Sequence, residues 1–263
     1  IIESLSEEEL NKEVKLATYF EGTSNAQTSS STTYTDENLD TGEILPWAVK
    51  AAWDGQDLSQ ANGSASNFGE GSYAFVIDSG VQKLDDLNIE EFGWSKSYIE
   101  NTTAFTDGNG HGTHVAGTIA AKVNGKGVIG VAPGALITSI KVFNSTGGGA
   151  SYATILNAIN YAAEIIVNNN LPKEKCVINL SLGGPTSPAI DLAVKNLASL
   201  GIQFAIAAGN EGQDADNVSP AGAGDADNVY TVSAVDNKME MASFSNWDDP
   251  NGGDDVDVAA GGV

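Results

Sequence analysis

Three polar residues stand beside glycine turns, and each is of a type that can carry a charge, accept a proton or donate a hydrogen bond. Asp78 ends the run Tyr73-Ala-Phe-Val-Ile-Asp and is followed by Ser79-Gly80. A carboxylate at such a strand exit sits at the carboxyl edge of a sheet, although turns and helix caps use the same residue type. His111 lies in Gly108-Asn-Gly-His-Gly-Thr-His-Val-Ala-Gly117, opening a helical pattern in which Val115, Ile119 and Val123 share an apolar face. The positive end of a helix favours neutral imidazole, the form a general base requires. The chain has two histidines, His111 and His114, so any histidine base falls in this segment. They lack the i, i+4 spacing and the glutamate of the helical zinc motif, and His114 reads as a packed structural residue. Asn210, in Ala207-Ala-Gly-Asn-Glu-Gly212, offers an amide that can donate to a developing oxyanion or simply form a turn.

The elements that must position these residues follow from periodicity. From Tyr73 onward, strand-like and helix-like patterns alternate: YAFVI, HGTHVAGTIAAKV, ALITSIKVF, SYATILNAINYAAEIIV, CVINL, TSPAIDLAVKNLASL, QFAIAA and VYTVSAV. Such alternation implies crossover units and a largely parallel sheet covered on both faces. The glycine-rich segments GGGAS, SLGGP and AAGNEG fall just after apolar runs, at the strand ends where open α/β sheets build ligand sites. Near the N-terminus, Ser4 and Ser6 precede Glu7 and Glu9 at capping-box spacing, and Leu10, Val14 and Ala17 recur at helical intervals. A polar Ser/Thr-rich stretch then runs to about residue 40. Residues 1–41 are thus expected to form an acidic helix and a polar linker, either an N-terminal arm or a prosegment remnant. Residues 42–263 are expected to form the compact domain.

Composition excludes several classes. Thirty-five acidic against 12 basic residues give a formal charge of -23, which repels phosphate backbones and anionic lipid, so neither nucleic acid nor membrane is expected as a partner. The single cysteine, Cys176, excludes an internal disulfide framework, and its place in the apolar run CVINL marks a buried, inert thiol. No stretch approaches the ~20 apolar residues of a membrane helix, and IIESLSEEEL lacks the basic and apolar regions of a signal peptide.

The segments VIDSG, HGTHVAG, SLGGP and AAGNEG occur in that order, each on the expected side of a strand or helix. Together they resemble the subtilisin family of serine endopeptidases, over about Pro46 to Val263. The resemblance implies a three-layer α/β fold with a mostly parallel central sheet flanked by helices. It implies that Asp78 orients His111, that His111 takes a serine proton and returns it to the leaving amine, and that Asn210 donates to the tetrahedral intermediate. It also implies extended pairing of substrate with Gly148, Gly149, Ala150 and Tyr152 on one edge and with Ser181, Leu182, Gly183 and Gly184 on the other. The loops at Ser181–Gly184 and Ala208–Asn210 would wall a primary specificity pocket. They hold no charged residue, which fits apolar or broad preference. A structural calcium is implied at Glu43, Asp86 and Asn124 with the backbone carbonyls of Lys122, Lys126 and Val128, an all-oxygen set suited to a hard cation. Protein or peptide substrates, a monomer and an extracellular location complete the expectation.

One departure matters. The family's nucleophilic serine lies in a GTSMA-like helix start beyond a segment resembling DVDVAAGGV, inside which this sequence closes. Ser79 follows Asp78 within its turn, Ser181 belongs to the substrate edge, and Ser243 and Ser245 sit in ASFSN, which resembles a structural strand region. The 263 residues alone are therefore expected to be inactive, the serine being supplied from beyond them. The competing expectation is a non-catalytic peptide- or cation-binding relative. A dinucleotide-binding fold is disfavoured, because DSGVQK stands where G-x-G-x-x-G would be needed.

Overall fold

The computed structural model describes residues 13–16, 33–53, 68–145, 148–249 and 255–263. In chain order the strands and helices are β1 (Glu13–Leu16), β2 (Glu37–Asn38), β3 (Ile44–Leu45), α1 (Trp47–Ala52), β4 (Tyr73–Asp78) and β5 (Lys96–Ser97). There follow α2 (His111–Ala120), β6 (Leu136–Lys141), β7 (Ala150–Ser151), α3 (Tyr152–Asn168), β8 (Cys176–Leu180) and β9 (Leu182–Pro185). The last are α4 (Pro188–Ala198), β10 (Gln203–Ala207), β11 (Val218–Ser219), β12 (Val229–Val235) and β13 (Val258–Gly261).

Seven strands form the central sheet in the order β13-β12-β10-β8-β4-β6-β5, and every pairing in it is parallel. Period-two alternation splits β4 between two layers. Phe75 and Ile77 face a large core with Ile155, Ile159 and Ile166 of α3 and Ile190 and Val194 of α4. Ala74 and Val76 face a smaller core with Ala116 and Ala120 of α2. This is the expected three-layer α/β arrangement. Its helix starts obey local rules: Ser151 caps α3, its Oγ accepting from the Thr154 N–H at 3.2 Å, and Pro188 opens α4 where its missing N–H costs nothing.

Val115 and Ile119, read as an apolar face of α2, do pack against the smaller core, but they are not its innermost residues. The buried residues of α2 are Gly112, Ala116 and Ala120, while Val115 and Ile119 are only partly buried, and the helix stops before Val123. Small residues win the inner face because α2 lies close against β4, as the geometry at Gly112 requires.

Strand order reverses beside β4: β6 lies on one side, β8 and its successors on the other. The carboxyl end of β4, where Asp78 sits, is thus the switch point at which such sheets open a crevice. Over that edge runs a second sheet, ordered β11-β9-β1-β7, whose pairings are antiparallel. Val14, assigned to a helix by its spacing, lies in β1. Edges on both sides satisfy the strand's backbone hydrogen bonds, and this tertiary pairing outweighs helix propensity. The rest of the proposed helix, residues 4–12 and Ala17, lies outside the described residues, as does most of the linker.

Cys176 is fully buried in β8, and burial, with a smaller push from Glu174, raises its thiol to about 11. It should not react with a thiol reagent such as DTNB at pH 8 in the native protein, and should react stoichiometrically in 6 M guanidinium, about the strength that unfolds even hyperstable domains.

Candidate active site

Asp78 ends β4 and is fully buried. Its carbonyl accepts from Val142 N–H at 2.8 Å, and its Oδ1 accepts from the Ser79 N–H at 2.6 Å, so both strand and carboxylate are held. Residue 111 is the first of α2, entered through Gly110 at φ +91°, a left-handed conformation that glycine adopts without steric cost. His111 Nδ1 lies 2.8 Å from Asp78 Oδ1 and 2.9 Å from Oδ2. With Nδ1–H donating to the carboxylate, the neutral ring carries its lone pair on Nε2, the atom from which a base would act.

The approach of α2 to β4 depends on Gly112. A Cβ built there would lie 2.2 Å from the Gly80 carbonyl oxygen and 3.0 Å from Asp78 Oδ1. Gly112 N–H instead donates to Ser79 Oγ at 3.0 Å. The first turn is further pinned by Asp107, which is 5% exposed and accepts from Gly110 N–H at 2.8 Å, Thr113 N–H at 2.9 Å, Thr113 Oγ1 at 2.6 Å and Ser79 Oγ at 2.8 Å. Burial alone would raise its carboxyl, but the bonds from Thr113, Gly110 and Ser79 outweigh it and hold it below the usual range.

Asn210 follows β10, two strands from β4 with only β8 between, or about 10 Å along the same sheet edge. Gly209, at φ +113°, makes the turn. Fully buried Asn246 shapes the loop: its Nδ2 donates to Ala208 O and Glu211 Oε2, both at 2.9 Å, and its Oδ1 accepts from Glu211 N–H at 3.0 Å. Asn210 N–H donates to the same Glu211 carboxylate at 2.9 Å.

The two proposed substrate edges face one another with the chain's own β1 between them. Val14 pairs with Ala150 and Glu13 with Ser151 on one side; Lys15 pairs with Gly183 and Leu16 with Leu182 on the other. Gly148 and Gly149 lead into β7, Ser181 precedes β9, and Gly184 pairs with Ser219 of β11. Tyr152 is buried rather than presented to the cleft, its hydroxyl donating to the Pro185 carbonyl.

Glu43, Asp86 and Asn124 also come together. Glu43 is buried, its Oε1 accepting from Asn124 N–H at 2.5 Å and its Oε2 from Thr41 Oγ1 at 2.8 Å, while Asn124 Nδ2 donates to Asp86 Oδ1 at 2.7 Å. Lys122 and Val128 are tied to the same region through Lys122 N–H to Asp86 O at 2.9 Å and the bridge of Val128 to Ile44; Lys126 lies between them and is exposed. Among the described residues no group of three His, Cys, Asp or Glu side chains is arranged to hold a metal. Any ion here would rely on two carboxylates, an amide and carbonyls.

Ser243 lies in a turn, with Ser245 directly after it, rather than in a strand. Ser245 Oγ accepts from Ala234 N–H at 2.8 Å and donates to Asn246 O at 2.9 Å.

Sequence reasoning overlooked Asp107, Lys141 and Asn246. Asp107, shortly before a helix start, carried a capping signal. Lys141, a charge inside the apolar run ALITSIKVF, carried another. Asn246 had none, because its role depends on distant Ala208 and Glu211.

Residues 56–263 match the subtilase family, Peptidase_S8. The chain is 38% identical to cerevisin of Saccharomyces cerevisiae over 239 residues, covering 86% of this chain and 34% of that protein. It is 40% identical to alkaline protease 1 of Aspergillus oryzae over 228 residues (86% and 52%), and 42% identical to subtilisin E of Bacillus subtilis over 190 residues (72% and 46%). Among solved structures, a cold-adapted subtilisin-like serine proteinase superposes with TM-score 0.57 at 35% identity, covering 74% of this chain and 64% of that one. A psychrophilic subtilisin-like protease from an Antarctic Pseudoalteromonas gives 0.61 at 29% identity, covering 82% and 45%. The chain belongs to the subtilase family. It spans about a third to a half of the length of these curated relatives.

Proposed function

We propose that this chain is the base-bearing and oxyanion-bearing part of a secreted, monomeric serine endopeptidase acting on protein or peptide substrates. The observation that carries this reading is the bond from His111 Nδ1 to both oxygens of buried Asp78. Asp78 fixes the tautomer and stabilises the imidazolium, and His111 Nε2 takes the proton of a serine hydroxyl as its oxygen attacks the scissile carbonyl. The same nitrogen then delivers the proton to the departing amine. Asn210 donates its amide to the oxyanion, and the serine comes from sequence outside these 263 residues. Residues 13–16 illustrate how an extended peptide would lie, paired with Ala150 and Ser151 on one side and with Leu182 and Gly183 on the other. While seated there they block the cleft, in keeping with a prosegment-like arm.

The test is casein hydrolysis by the full-length gene product, with covalent capture of a fluorophosphonate. Neither cleavage nor capture, in a folded protein freed of its N-terminal arm, would sink the proposal. Asn210→Ala in the active enzyme should lower kcat by about 10²–10³ with KM little changed, the scale on which subtilisin responds to loss of one oxyanion donor; stopped-assay kinetics on a peptide anilide read this out.

The seating of β1 favours a second reading, in which the cleft holds extended peptides without cutting them. Retention of a labelled peptide, unhydrolysed, by the full-length protein would select it.

Calcium fits the cluster at Glu43. Among the described residues the oxygens of this buried carboxylate accept from neutral donors, Asn124 N–H and Thr41 Oγ1; such a group gains most from a hard cation, and Asp86 stands across Asn124. Ligation through Asn124 Oδ1 needs its amide turned over, since Nδ2 faces Asp86. Calcium at a hundred times its Kd should add about 2.7 kcal/mol, seen as a higher Tm that EDTA reverses. Glu43→Gln with Asp86→Asn should abolish the calcium-dependent part of that shift.

A further inference from the structure

Beneath the Asp78–His111 pair lies a second pair of charges. Lys141 ends β6, beside Asp78 in register, and is 1% exposed. A lysine so deeply buried is rare unless compensated. Its ammonium donates to the Ser79 carbonyl. Ser79 is the junction: its N–H holds Asp78, its hydroxyl donates to Asp107 and accepts from Gly112 of α2, and its carbonyl takes Lys141. Two buried carboxylates, Asp78 and Asp107, therefore share their surroundings with one buried cation. Burial pulls the Lys141 ammonium down, and Asp107 and then Asp78 oppose that pull.

The geometry points to Asp107 and Lys141, joined through Ser79, as positioning residues for His111. Asp107 clamps the turn that carries the imidazole, and Lys141 offsets part of the field that two carboxylates impose on it. An imidazole beside two uncompensated carboxylates would hold its proton too tightly to act as a base near neutral pH. A cation on the adjoining strand, in register with Asp78, restores the balance. This inference rests on the proposed role of His111 as a base, but its test does not depend on turnover.

Among the described residues, the charged and titratable groups on elements packed about His111 include Asp78 on β4, Asp107 before α2, His114 on α2 and Lys141 on β6, with Lys83 at the rim over the Phe105 ring. The experiment follows the ring signals of isotopically labelled histidine in the full-length protein by NMR across pH. The His111 signal is assigned by its loss in His111→Gln. Lys141→Met should raise the His111 midpoint by on the order of one pH unit, and Asp107→Asn should lower it by a similar amount. The double variant should return close to the parent, and Lys141→Arg should stay there. Opposite signs that cancel are a signature of charge, which a packing defect does not reproduce. Single variants that leave the midpoint in place, or move it in the same direction, overturn the proposal. Should Lys141→Met fail to fold, the double variant is compared with Asp107→Asn, and the midpoint must rise. A double variant that also fails to fold refutes charge balance and makes Lys141 a packing residue.

Discussion

Asp78→Asn is expected to lower kcat of the proposed full-length enzyme by about 10⁴ at neutral pH, on the scale seen when a triad carboxylate becomes an amide, while the protein stays folded. The side chain keeps its shape, and Oδ1 can still accept from Ser79 N–H. Two things change at His111. The new amide donates to Nδ1 instead of accepting from it, so the ring proton moves to Nε2, the position that must be empty for a base. The negative charge that would stabilise the imidazolium is also gone, from a site where Asp78 is fully shielded from water. Progress curves on a peptide anilide, with circular dichroism as the folding control, check the result. A loss of less than tenfold would mean that His111 is not the base, or that Asp78 does not set its tautomer.

Gly112→Ala is expected to damage both stability and activity, although it adds one methyl group. That methyl would stand 2.2 Å from the Gly80 carbonyl oxygen and 3.0 Å from the Cβ of Asp78. Both neighbours belong to the end of β4 and its turn, so neither can swing away as a flexible side chain would. Relief requires α2 to move off the sheet, which opens the small-residue core at Ala116 and Ala120 and lengthens the bonds from Asp78 to His111. A cost of roughly 1–3 kcal/mol and a loss of about 10² in kcat/KM follow from overpacking and from misplacement of about 1 Å. Gly117→Ala is the internal control. It lies in the same helix with nothing near its added Cβ, and should leave the Tm unchanged or raise it, since alanine is favoured over glycine in helices by about 0.5–1 kcal/mol. Equal losses from both substitutions would show that α2 propensity, not its closeness to β4, governs the site.

The elements of the central sheet were legible because their patterns are local. YAFVI, CVINL and QFAIAA are short apolar runs bounded by turn residues, and each became a strand: β4, β8 and β10. The long patterns of α3 and α4 were equally clear. One reading failed and another was incomplete for a common reason. Val14 had helical spacing but took up a strand because β7 and β9 offered two unpaired edges, and neither is near it in sequence. In α2 the larger Val115 and Ile119 do pack on the core, but only partly buried, because closeness to β4 gives the innermost stripe to glycine and alanine.

The settings of Asp78, His111 and Asn210 beside glycine turns were legible in the sequence itself, since a tight turn out of a strand or into a helix needs glycines within a few positions. What tertiary structure decided was how they are held. The pairing of His111 with both carboxylate oxygens, the burial of Asp107 and Lys141 beneath it, and the grip of Asn246 on the Asn210 loop all join segments far apart in the chain. Hydrogen bonds and burial depend on distance in space, and parallel strands with crossover helices bring together residues that no local pattern relates.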